Sequence, residues 1–223
     1  MKWVIPEYHL IKKEQPIFSS GIRPHNSKHF KRTIFSMDNS LKKLLLAGIL
    51  VEILIFLFCS LTYEATADVF RYAARYSGRF SFGIFIYAFY FFATGQPKPF
   101  LENNKLGNII RLFAIMHVIH FGFLATCVYL NSIPLETVKV IGGALAYLMI
   151  VMAPLKLAAV NFKAQLVYFY YVSLVMALTY VARIKGDFQG AEPFWFHYVG
   201  LGLMALCCLL FGVIIYRSRK SVN

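Results

Sequence analysis

Six apolar runs follow one another along the chain, separated by short polar segments. Each run is close to the roughly 20 residues that an α-helix needs to cross a bilayer. They predict six membrane-spanning helices at about residues 44–62, 80–95, 109–130, 138–155, 164–182 and 194–216. Because the connecting segments are short, we expect one all-α domain, a polytopic six-helix bundle over residues 44–217. Residues 1–43 are predicted to form a basic N-terminal tail, and residues 218–223 a short C-terminal tail.

The composition agrees with this pattern. Hydrophobic residues make up 59% of the 223-residue chain and charged residues 15%, whereas a soluble domain carries about 25% charged residues. A soluble monomer would have to expose much of this apolar surface to water, which monomers avoid. The lipid bilayer is therefore the expected environment. The four cysteines all lie in apolar runs and lack zinc-binding spacing, so we expect buried thiols.

The positive charges are distributed unevenly between the two ends of the predicted helices. Of the 23 lysines and arginines, 17 fall on the side of the N-terminus when the six runs are threaded through a membrane. Cytoplasmic segments collect Lys and Arg, so both termini are predicted to be cytoplasmic. This bias accounts for the net charge of +13 without a nucleic-acid partner. The expected location is a plasma or inner membrane.

Three ionisable residues within the runs are candidates for function, because such residues are costly in hydrocarbon. Glu52 lies in the first run, and His117 and His120 lie in the third. Glu52 and His120 are each nine residues beyond a basic residue at the inner boundary, so both lie at a depth of about 13 Å. A hydrogen bond from one imidazole to Glu52 is predicted. Three roles are open: a structural pair, metal or haem ligation, and a proton path or substrate site.

Two further features lie toward the outer ends of the predicted helices. His197 is just inside the sixth run, where a histidine can hydrogen-bond water. Arg71, Arg75 and Arg79 follow helical i, i+4, i+8 spacing and form one charged stripe on a short helix that leads into the second run. The stripe is either a solvated face or a site for a headgroup, a carboxylate substrate or a haem propionate.

Several segments resemble the six-span ferric-reductase-like transmembrane domain. They are ARYSGRFSFGIFIYAFYFFATG before and within the second run, RLFAIMHVIHFGFLATCVYL with its two histidines, and GGALAYLMIVMAP followed by a Tyr-rich helix. The resemblance covers about residues 40–217. It implies a b-type haem held between histidines of the third and fifth spans, with electrons passing across the membrane.

The resemblance assigns the third-span ligand to His117 or His120. The fifth run has no histidine; Gln165 and Thr179 stand roughly where the family carries ligands. His197 or a methionine such as Met176 would have to complete the site, since Met/His ligation occurs in haem proteins.

Two functions from different classes are therefore expected. The first is a membrane oxidoreductase subunit with one haem b, held by His117 or His120 and oriented by Glu52. Its electrons would come from a separate reductase or the quinone pool. The second is a non-redox protein with a Glu–His network, acting either as an accessory or assembly subunit beside a partner membrane subunit, or as a small proton-coupled transport protein.

Overall fold

The computed structural model describes residues 39–95, 104–134, 137–187 and 193–220. Within these ranges the chain forms helices and no strands, in agreement with the predicted all-α class. The helices are α1 (Asn39–Thr62), α2 (Thr66–Thr94), α3 (Asn104–Leu130), α4 (Thr137–Lys156), α5 (Phe162–Lys185) and α6 (Trp195–Lys220). Residues 1–38 of the predicted N-terminal tail and residues 221–223 lie outside the described ranges.

Four helices, α1, α3, α5 and α6, are long and apolar enough to cross a membrane. Helix α4 contains a shorter apolar stretch, Val140–Lys156. Large apolar side chains such as Leu54, Leu61 and Leu209 are exposed on the outside of the bundle. An exterior with many exposed large apolar side chains suits lipid and not water. The chain therefore has the character of a membrane protein.

The centre of the bundle is built around α2, which packs against α1, α3 and α6. Phe85 of this helix is 0% exposed and lies 5.3 Å from the ring of Phe113 in α3 and 6.1 Å from that of Phe169 in α5. One turn further on, Phe89 lies 5.1 Å from Phe169 and 5.0 Å from Phe211 in α6. Layered aromatic rings thus fill the space that α3, α5 and α6 share around α2.

The helices extend beyond the apolar runs that predicted them. Helix α2 begins at Thr66 and not at residue 80, so the arginine stripe belongs to α2 itself and the predicted separate short helix does not exist. Helix α1 begins at Asn39, inside the predicted N-terminal tail, and α6 continues to Lys220, inside the predicted C-terminal tail. An apolar run marks the part of a helix that suits hydrocarbon, whereas the backbone hydrogen bonds continue into polar sequence.

The turn between α4 and α5 is held by side chains. Asn161 caps α5, its side-chain oxygen accepting a hydrogen bond from the Ala164 backbone at 2.9 Å, as expected for an N-cap residue. The amide of Gln165 donates to the Leu157 and Val160 carbonyls at 3.0 and 3.2 Å. These carbonyls lie at or beyond the end of α4, where helical partners are missing. Gln165 thus has a structural task here.

Candidate functional site

Glu52 is buried at the contact between α1 and α2. Its side chain is 3% exposed, and Oε1 accepts a hydrogen bond from the Ser77 hydroxyl at 2.9 Å. Oε2 is also buried and has no hydrogen-bond partner among the described residues. The predicted hydrogen bond from an imidazole to Glu52 is therefore not formed, because α2 supplies a serine donor instead.

His117 connects three helices. Its Nδ1 lies 2.6 Å from the Ser81 hydroxyl of α2, and its ring centroid lies 4.6 Å from that of Tyr147 in α4. Phe113, one turn earlier in α3, packs against the same ring at 5.1 Å. With Nδ1 engaged by the serine, Nε2 is the nitrogen left to interact with another group.

His120 is buried against the backbone of α2. A Cβ atom added to Gly78 would lie only 2.9 Å from the His120 Cε1 atom, so the imidazole occupies space that only glycine leaves open. The His120 ring centroid is 5.4 Å from that of His117. The His120 Nδ1 atom is buried and has no hydrogen-bond partner in the part of the chain that the structure describes.

One stretch of α2 therefore contacts all three candidate residues that the sequence predicted. Ser77 contacts Glu52, Gly78 contacts His120 and Ser81 contacts His117. We call Glu52, Ser77, Ser81, His117 and His120 the polar cluster. Sequence reasoning missed both serines, although two small polar residues four positions apart in an otherwise aromatic segment are a usable signal. The cluster joins α1, α2 and α3 and contains one buried oxygen and one buried nitrogen that could bind a proton.

His197 lies elsewhere, at the beginning of α6. It is 5% exposed, so its neighbours cover most of the side chain. The Phe194 backbone N–H donates to its Nδ1 atom at 3.3 Å, and the Tyr180 ring centroid lies 6.3 Å away. Its electrostatic neighbours are Arg183, Arg79 and Arg75. His197 belongs with the arginines and not with the polar cluster.

The arginine stripe of α2 is half-buried along its whole length. Arg71 forms an ion pair with Asp68 at 2.7 Å and also hydrogen-bonds Asn131 at the end of α3. Arg75 lies over the Tyr72 ring at 4.8 Å. Arg79 lies over the Phe196 ring at 4.3 Å and so reaches α6. The three residues contact different partners because α2 runs past α3 and α6 at this end.

The packing also bears on the haem that the resemblance implies. No group of three or more His, Cys, Asp and Glu residues could hold a metal ion within the described ranges. The ring of Phe85 in α2 contacts Phe113 of α3 and Phe169 of α5, so an α2 side chain lies between these two helices at this level. Of the two α5 residues that stand roughly where the resemblance implies ligands, Gln165 holds the α4–α5 turn and Thr179 donates to the Val175 carbonyl at 2.9 Å. The residues present do not fit a haem in this position.

No protein-family model, curated protein or solved structure matches this chain. Its chemistry is therefore inferred from the arrangement of its own residues. The polar cluster offers a buried carboxyl group and two imidazoles within three packed helices. Such a group of sites can take up and release protons, and it can do so without a cofactor.

Proposed function

We propose that the protein is a six-span membrane protein with both termini in the cytoplasm, and that it couples proton binding at the polar cluster to transport. The topology is supported by four helices that are long and apolar enough to cross a membrane, by the apolar stretch of α4, and by the excess of basic residues on one side. In this arrangement α2 is the second span.

The proposed topology makes a direct prediction for the two termini. A reporter that fluoresces only in the cytoplasm and a phosphatase that is active only outside it should give opposite results at each position. Fusions at the C-terminus and at the N-terminus should be fluorescent, and a phosphatase inserted between α1 and α2, near Glu64, should be active. An active phosphatase at the C-terminus would contradict an even number of spans with a cytoplasmic N-terminus.

The proposed proton binding rests on one observation, which concerns the second carboxyl oxygen of Glu52. This oxygen is buried and has no hydrogen-bond partner among the described residues, while the first oxygen is held by Ser77. An unpaired carboxylate is expensive to bury, and a proton on Oε2 would remove the charge without moving the side chain. Ionisable residues at this depth usually mark ion pathways or proton relays.

The proposed route for this proton runs through the neighbouring residues. Ser77 can keep donating to Oε1 while Oε2 gains or loses its proton, so the carboxyl group stays fixed in both states. His120, whose ring lies against the turn of α2 that follows Ser77, has a second buried nitrogen without a partner among the described residues. His117 is held by Ser81 one turn further along. We place the proton-binding step at Glu52 and assign the two histidines to the relay beside it.

Infrared difference spectroscopy can test the proton-binding step directly. Spectra of the purified protein at low and high pH should contain the carbonyl stretch of a buried carboxylic acid. We expect Glu52→Gln to remove this band, since an amide cannot take up the proton. Glu64→Gln, which changes an exposed acid just beyond α1, should leave the band in place. A difference spectrum that is the same in wild type and Glu52→Gln would contradict the proposal.

A second measurement separates this function from the redox alternative. Dithionite-reduced minus oxidised absorption spectra of the same preparation should be featureless in the visible range. Haem bands that disappear in His117→Ala or His120→Ala would overturn the non-redox assignment and restore the electron-transfer function that the family resemblance implies.

A further inference from the structure

Arg79 of α2 and Arg183 of α5 lie close together at the end of the bundle where α5 ends and α6 begins. The ring of Phe82, one turn after Arg79, contacts the ring of Tyr180, one turn before Arg183, with centroids 5.5 Å apart. Arg183 in turn interacts electrostatically with Arg79 and Arg75. Arg79 and Arg183 are both half-buried. Neither forms an ion pair with a carboxylate among the residues that the structure describes. Two like charges that are held together away from bulk water repel one another, so this arginine pair lacks a negative partner within the described ranges.

Aromatic rings hold Arg79 in place. Its guanidinium lies 4.3 Å from the ring centroid of Phe196, 5.3 Å from that of Tyr76 and 5.6 Å from that of Phe194. Ring faces contact the flat side of a guanidinium and leave the N–H groups at its edge available for hydrogen bonds. The packing therefore fixes the cation without using the donors that recognise an oxyanion.

Two neutral hydrogen-bond donors, Tyr180 and His197, accompany the arginine pair. The Tyr180 ring lies on the backbone of α6 at Gly200, where an added Cβ atom would come within 2.7 Å of its Cζ atom, and this residue interacts electrostatically with both arginines. His197 accepts a backbone hydrogen bond at Nδ1, so in the neutral ring the hydrogen is assigned to Nε2, which is a donor.

We propose that Arg79, Arg183, Tyr180 and His197 form a binding site for a phosphate group. Two guanidinium groups match the charge and the several acceptor oxygens of a phosphate, and the hydroxyl and the imidazole N–H add hydrogen bonds to further oxygens. A carboxylate has only two oxygens to share among four donor groups. The phosphate belongs either to a phospholipid headgroup or to a free phosphate ion. The inference goes beyond the proposed proton function and does not depend on it.

The test measures the thermal unfolding midpoint of the detergent-purified full chain at constant ionic strength. A ligand that binds only the folded state raises this midpoint with its concentration. One arm titrates inorganic phosphate against chloride. The other titrates dioleoylphosphatidylglycerol against dioleoylglycerol, which has the same chains and no phosphate. A rise in the first arm that Arg79→Gln abolishes identifies free phosphate, because surface exclusion of phosphate would stabilise both proteins alike. Such a rise in the second arm alone identifies a lipid headgroup, and its absence from both arms overturns the proposal.

Variants locate the site. Arg79→Gln and Arg183→Gln should each weaken the apparent affinity by about tenfold to a hundredfold, the range for a lost hydrogen bond to a charged group. Lys185→Gln is the matched control, because it removes the same charge from an exposed position on α5 and should bind like wild type. Equal affinities of Arg183→Gln and Lys185→Gln would place the phosphate elsewhere and overturn the assignment.

Tyr180→Phe keeps the proposal testable if an arginine variant fails to fold. The substitution removes only the hydroxyl and keeps the ring on Gly200. The apparent affinity should fall by about tenfold to a hundredfold, the range for a hydrogen bond to a charged group, while the unfolding midpoint without ligand stays close to that of wild type. An affinity that does not change would exclude Tyr180 from the site and contradict the four-residue assignment.

Discussion

Gly78→Val should destabilise the folded protein by about 1–3 kcal/mol, the usual cost of forcing extra methyl groups into a packed interior. The imidazole of His120 already occupies the space beside Gly78, and even a single Cβ atom there would lie 2.9 Å from Cε1. The new side chain must therefore displace the His120 ring or separate α2 from α3. The free energy of unfolding can be measured by titrating the detergent-purified protein with sodium dodecyl sulfate.

Gly83 provides a matched control in the same helix. An added Cβ atom at Gly83 would meet nothing within 4 Å, so Gly83→Val changes the same residue type without a clash. We expect its unfolding free energy to stay within about 0.5 kcal/mol of wild type, as for other substitutions away from packed contacts. Equal destabilisation by both valines would show that helix propensity, and not the contact with His120, determines the effect.

Phe85→Ala should cost about 2 kcal/mol of folding free energy. Lipid is as apolar as the protein interior, so the transfer term of a large-to-small substitution largely disappears and the cavity term remains. Removing a ring that lies between Phe113 and Phe169 leaves a cavity on the order of 100 Å³, and cavities cost about 24 cal/mol per Å³. The same detergent titration measures this loss.

Phe58→Ala is the control for this substitution. Phe58 in α1 is 54% exposed, so lipid chains can fill the space that its ring leaves. We expect a loss well below that of Phe85→Ala. If both alanine variants lost the same free energy, the aromatic layer around α2 would not be the packing centre of the bundle.

The number of helices could be predicted from the sequence, because each apolar run contains nearly enough residues for one crossing. Their ends could not. The apolarity of a segment indicates which residues lie in lipid, whereas a helix extends as far as its backbone hydrogen bonds continue. The difference is largest in α2, where the half that carries Arg71, Arg75 and Arg79 has no apolar signal and is helical all the same.

The candidate residues were also identifiable in advance, but their partners were not. Glu52, His117 and His120 stand out because they are costly in hydrocarbon, and depth counting placed Glu52 and His120 at a similar level. Depth does not determine the rotation of one helix against another. The contact of Glu52 with Ser77, and of His117 with Ser81, depends on that rotation. The place of Arg183 beside the stripe likewise depends on how α5 packs.

The central position of α2 has a consequence for how the protein is made. Helix α2 is absent from the four helices that are apolar enough to cross a membrane unaided, and yet α1, α3 and α6 pack around it. In the proposed topology, α2 is favourable in the bilayer only when neighbours cover its polar residues. Synthesis supplies these neighbours in order, first α1, then α3 and last α6. Stable insertion of α2 would thus depend on several helices, of which α6 is made last.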